Sequence, residues 1–146
     1  MPSLMKFLAI TAAVLFTTTN AANAWYSSGA NSSSVGSITV NLYDDAENAC
    51  WTNLREAREY AEEKLNIEGY NVLAEGGEYN ININVLGKRH NSGGCFGYVK
   101  VSIWASNYRN GVFGVHEIGS DSGVYTNQDN LNTAVIEIIS TMVGQM

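Results

Sequence analysis

A chain of 146 residues with 8 Lys and Arg against 14 Asp and Glu has room for one domain that buries roughly two thirds of its unfolded surface. The net charge of −6 repels phosphate backbones and anionic lipid headgroups, which argues against nucleic-acid binding and against a role on a membrane surface. Two cysteines, Cys50 and Cys95, allow at most one disulfide within the chain.

Residues 1–24 read as a secretory signal: Lys6 precedes an apolar core from 7 to 16, and Ala22 and Ala24 place small residues where a signal peptidase cuts. That core is too short to anchor in a bilayer, and no later apolar run is long enough to insert. No Cys follows the small residues, so a lipid-modified N-terminus is not indicated. With Lys6 removed, seven basic residues face fourteen acidic ones. In an exported chain Cys50 and Cys95 are expected to form a structural disulfide, being too far apart in sequence for a redox pair and having no ligand-spaced neighbours for a metal.

Residues 25–36, rich in Ser, Asn and Gly, predict a flexible leader, with a formal glycosylation acceptor at Asn31. The domain then occupies 37–146. The first strand covers 37–43, where Ile38, Val40 and Leu42 alternate with polar neighbours. Acidic residues over 44–47 predict a helix start, followed by a stripe of Cys50, Leu54, Ala57, Ala61 and Leu65 against a charged solvent face, with Gly69 as the stop. An apolar run over 70–73 leads back towards the sheet, and 75–78 is a turn.

Residues 79–86 carry the clearest pattern: Tyr79, Ile81, Ile83 and Val85 alternate with Asn80, Asn82 and Asn84, a strand with one dry and one amide face. A hairpin loop follows over 87–94 with Lys88, Arg89 and His90 at its tip. The next strand, 96–105, puts Val99, Val101 and Ile103 on the dry side and Tyr98, Lys100, Ser102 and Trp104 on the other. A turn ending at Gly111 leads into a strand over 112–118 whose facing is ambiguous. Caps over 126–129 then open a helix with Leu131, Ala134, Val135, Ile138, Ile139 and Met142 on its apolar side.

The expected fold is α+β: a two-layer sandwich with a mostly antiparallel four-stranded sheet and two helices on one face, in the order β-α-β-β-β-α. The first strand is expected at an edge or parallel to a strand of the meander. The helix, the phrase Gly69-Tyr70-Asn71-Val72-Leu73, the acidic turn, the strand over 79–85, the hairpin and the closing helix together resemble the small α/β domains of periplasmic envelope-assembly proteins. These include the curli secretion lipoprotein, the lipopolysaccharide-assembly lipoprotein and the N-terminal domain of the Tol translocation protein. The resemblance implies an envelope location, but position 25 is Trp where those lipoproteins carry the lipid-modified Cys.

No catalytic set is legible. His116 and Glu117 point to opposite faces of a strand, no Gly-x-Ser-x-Gly elbow or His-Glu-x-x-His is present, and no carboxylate pair stands out. No cofactor or metal is expected. The wet face, with Asn80, Asn82, Asn84, Tyr98, Lys100 and Trp104, predicts a surface for a protein partner or a second copy, with a small ligand or glycan as an alternative. The resulting expectation is a non-enzymatic periplasmic or secreted binding or accessory module of the bacterial envelope. Its alternatives are an inhibitor presenting the loop from Lys88 to Gly94 and, third, a cell-wall polysaccharide hydrolase or carbohydrate-binding protein.

Overall fold

The structure, a computed structural model, describes residues 32–33 and 35–146, with the side chains of Tyr108 and Arg109 left aside. The expected signal, most of the leader and the Asn31 acceptor lie outside the described residues. The chain runs β1 (Ile38–Ala46), α1 (Leu54–Ile67), β2 (Val72–Leu73), β3 (Tyr79–Arg89), β4 (Cys95–Arg109), β5 (Val112–Gln128) and α2 (Asn132–Val143). One sheet holds all five strands in the order β2-β1-β3-β4-β5.

The fold is α+β with two helices, as expected, but the sheet has five strands and is mixed. β1 pairs in parallel with both β2 and β3, while β3, β4 and β5 form an antiparallel meander. The cause is the βαβ crossover: α1 carries the chain back to the end where β1 began, so β2 must run the same way as β1. The 74–78 loop then crosses the start of β1, because Ile38 pairs with both Val72 and Tyr79. Gly77 allows that crossing, since a Cβ there would sit 2.7 Å from the Thr39 backbone nitrogen. Its N–H donates to Thr39 Oγ1 at 2.9 Å, which explains why Thr39, on the wet side, is nevertheless buried.

The alternation works as expected. Ile38 and Val40 of β1, Ile81, Ile83 and Val85 of β3, and Val99, Val101 and Ile103 of β4 are buried in one core with Ala57, Ala61 and Leu65 of α1. From the other helix come Ala134, Val135, Ile138, Ile139, Met142 and Val143, so the helices share one face and, among the described residues, the opposite face of the sheet is open. Val35, inside the expected leader, also packs into this core.

The helix start expected over 44–47 is corrected. β1 continues to Ala46 by pairing Asp44, Asp45 and Ala46 with Val85, Leu86 and Gly87, and Asp44 Oδ1 accepts from the Ala46 N–H instead of capping a helix. The chain then turns through left-handed Asn48 (φ 55°) and Ala49 (φ 56°), and α1 begins only at Leu54. Cys50 therefore lies in the connection, off the helix stripe. It is bonded to Cys95 with a Cα–Cα separation of 5.7 Å, as the sequence led us to expect.

β5 is longer than the expected 112–118. A turn with Asn110 (φ 53°) and Gly111 (φ 79°) matches the primed geometry that suits hairpin twist. A bulge places Ile103 opposite Gly119 and Trp104 opposite Glu117, leaving Ile118 as the extra residue. Odd-numbered residues face the open side before the bulge and even-numbered ones after it, which is why the alternation there was ambiguous.

Candidate functional site: the open sheet face

The open face divides into two ends. At one end, strand pairing sets Asn41 of β1 beside Asn82 of β3, with Asn80 one pleat away and opposite Trp104 of β4. The Asn41 side-chain amide donates to Asn80 Oδ1 and to Asn82 Oδ1, both at 3.1 Å. Trp104 Nε1 donates to Ser102 Oγ at 2.9 Å. These residues, with Tyr43, Ser106 and Val115, line a hollow of 370 Å³.

Lys100 marks the middle of the face. Its Nζ lies 2.6 Å from Glu117 Oε2, and Ser120 Oγ donates to the other carboxylate oxygen at 2.8 Å. Burial alone would raise the Glu117 carboxyl; the hydrogen bonds from Lys100 and Ser120, together with the Lys100 charge, outweigh it and hold the carboxyl below its ordinary range. Lys100 is thus committed to an ion pair. Asn84 reaches back along its own strand to the Asn82 carbonyl at 3.4 Å.

The other end is apolar. Leu86 of β3, Phe96 and Tyr98 of β4 and Val124 of β5 stand side by side on three adjacent strands, Leu86 opposite Tyr98 and Tyr98 opposite Val124. Leu86 is 60% exposed and Val124 77%, which is unusual for aliphatic side chains in a group. Together with Asp45, Glu47 and Lys88 at the rim they line a groove of 530 Å³. Beneath it Gly87 pairs with Gly97, and Leu131 packs onto this pair: a Cβ on Gly97 would meet Leu131 Cδ1 at 2.4 Å and Leu86 O at 2.6 Å. The disulfide lies at the same corner, and the Leu131 N–H donates to the Cys50 carbonyl at 2.7 Å.

Of the wet-face residues read from sequence, Asn80, Asn82 and Trp104 meet in one hollow, Asn84 and Lys100 lie between the ends, and Tyr98 belongs to the apolar groove. Leu86, Phe96, Val124 and Asn41 complete the two ends. The expected tip cluster of Lys88, Arg89 and His90 is corrected: Lys88 and Arg89 belong to β3, and only His90 begins the loop. Arg89 turns to the helix side and donates to the carbonyls of Asn48 and Ala49, at 3.0 and 3.2 Å, and to that of Gly93. It therefore holds the left-handed turn after β1 against the hairpin loop. Lys88 Nζ pairs with Glu47 at 3.4 Å, and His90 meets Ser92 and the edge of Phe96.

His116 lies within hydrogen-bond distance of Asn107, at 3.1 Å, away from Glu117's partners. Among the described residues no group of three or more His, Cys, Asp or Glu is placed to hold a metal ion, and no helix is long and apolar enough to cross a membrane. No family model and no curated protein matches the chain. Among solved structures it is similar to the PelC dodecamer from Paraburkholderia phytofirmans, with 14% identity over 75% of this chain and 85% of that one and a TM-score of 0.43. A variant of that dodecamer gives 15% identity, 75% and 84% coverage and a TM-score of 0.44. A likeness of this degree assigns no residue a role.

Proposed function

We propose that the chain is an exported, non-enzymatic binding module of the bacterial cell envelope that engages a protein partner through the open face of its sheet. The observation that carries this reading is the exposed apolar group of Leu86, Phe96, Tyr98 and Val124 on the face that neither helix covers. Contiguous exposed apolar surface rimmed by polar groups is the usual mark of a protein contact, and Phe and Tyr are favoured anchors in such contacts. The signal-like residues 1–24 and the Cys50–Cys95 disulfide support export to an oxidising compartment.

The inhibitor reading loses support from the geometry, because Arg89 is spent on backbone carbonyls and Lys88 on Glu47. A hydrolase would need an acid and a base facing a common hollow; no carboxylate lines the amide hollow, and of the two that line the apolar groove, Asp45 and Glu47, the second pairs with Lys88, so they favour that reading less than the exposed apolar group favours a protein contact. The test is to place a photo-crosslinking residue at Leu86 in cells, with a second at Glu59 on the solvent side of α1 as the control. The reading requires a discrete protein adduct from position 86 that Val124→Asp removes and that position 59 does not give.

A further inference from the structure

We propose that Asn41, Asn80, Asn82 and Trp104 form a binding site for a neutral sugar ring, separate from the apolar groove. Asn41 spends both side-chain hydrogens on the carbonyl oxygens of Asn80 and Asn82. Those two amides are thereby turned so that their NH2 groups point away from Asn41, and neither NH2 has a partner among the described residues. Each carries two N–H bonds, so the two residues have four donors to offer the hollow they line, and Asn41 keeps its side-chain carbonyl oxygen as an acceptor. None of these groups needs reordering to receive a ligand.

Trp104 supplies the apolar part. Its one polar side-chain atom is already used on Ser102, two residues back on the same face and 1% exposed, and this bond fixes one edge of the indole. The ring therefore offers a face rather than a donor. No charged side chain lines the hollow, although the chain as a whole is acidic. Its volume of 370 Å³ is within the range of about 300–1,000 Å³ for small-ligand sites.

Four donors and a flat aromatic face call for a ligand with clustered acceptor oxygens around an apolar face and no net charge. A sugar ring has that form: its hydroxyls accept from Asn80 and Asn82 and donate to Asn41, while its C–H face covers the indole. An anion would find no cation, because Lys100 is held by Glu117.

The experiment titrates the full chain with neutral tri- to hexasaccharides of glucose, galactose, mannose and N-acetylglucosamine, following the side-chain amide resonances of Asn80 and Asn82 by NMR. The expected result is saturable shifts with at least one of them, weakened about tenfold or more by Trp104→Ala and by Asn80→Ala and unchanged by Leu86→Asp. Asn80→Ala decides the matter if Trp104→Ala does not fold. Loss of the protein adduct without loss of sugar binding separates this site from the docking groove. The proposal is overturned if no sugar gives saturable shifts up to about 10 mM. Binding unchanged in both variants, or shifts from a proline-rich peptide where no sugar gives any, would overturn it equally.

Discussion

The two ends of the open face share strands β3 and β4 yet are held in place by different means. The amide end is organised at its surface, by side-chain hydrogen bonds from Asn41 to Asn80 and Asn82 and from Trp104 to Ser102. The apolar end is organised from beneath, by the Cys50–Cys95 bond, the Gly87–Gly97 pair and Leu131 lodged against it. A surface network fixes the direction of donors and so suits a ligand that must be oriented. An apolar group on a braced backbone offers area without direction, which suits a protein contact.

The strongest way to break this comparison is to remove the brace. Replacing Cys50 and Cys95 together with Ser should lower stability by about 4 kcal/mol in the chain-entropy model for a loop closed over 45 residues, read from urea unfolding. Hydrogen exchange should rise first around Gly87, Gly97 and Leu131, with Asn80 and Asn82 still protected. Equal loosening of both ends would show that they are one unit.

Asn41→Ala tests the other support. It removes two hydrogen bonds at once and should cost about 1 kcal/mol, because the carbonyl oxygens of Asn80 and Asn82 lose their donor in a half-buried place. Binding of the proposed partner to the apolar groove should be unchanged. A loss of partner binding equal to that of Val124→Asp would merge the two ends functionally.

The boundary between the ends is the Lys100–Glu117 pair, and pH probes it. The Glu117 carboxyl titrates below its ordinary 4.5 in the folded chain, so its contribution is complete above that value and fades as the pH falls through the lower folded value. We expect Lys100→Met to be about 0.5 kcal/mol less stable than the parent above pH 4.5, with the difference closing as the pH falls. Identical stability of the two proteins at neutral pH would show the pair to be without weight.

The smallest effect is expected away from both ends. Tyr70 is buried on the helix side, and its hydroxyl has no partner among the described residues; burial, with the charge of Glu68, pushes its ionisation up. Tyr70→Phe should therefore leave stability nearly unchanged while leaving both ends of the open face intact. A drop in melting temperature would reveal a hydrogen bond to this hydroxyl.

The amide end was largely legible in sequence because strict alternation over 79–85 places three asparagines on one face wherever the strand lies. Asn41 was on the expected wet face, but its role as the shared donor depended on β1 running parallel beside β3, which no local pattern announces. The apolar end was not legible as a group. Leu86 ends one alternating run and Phe96 begins another. Val124 lies beyond the Ile118 bulge, in a stretch of Gly, Ser and Asp that carries no strand signal of its own. Each is a single residue at the end of a pattern, and only the register between strands assembles them. The helix start was misplaced for a related reason: Asp44 and Asp45 have the composition of a cap, and the pairing of β1 with β3 overrode it.

The most direct test of the docking surface is the crosslinking experiment at Leu86, compared with Glu59 and repeated with Val124→Asp. One discrete protein adduct is expected from position 86, absent from position 59 and lost in the Val124 variant while the fold and export are retained. A folded, exported protein that gives no adduct at 86, or the same adduct from both positions, would contradict the assignment of the open face as the docking surface.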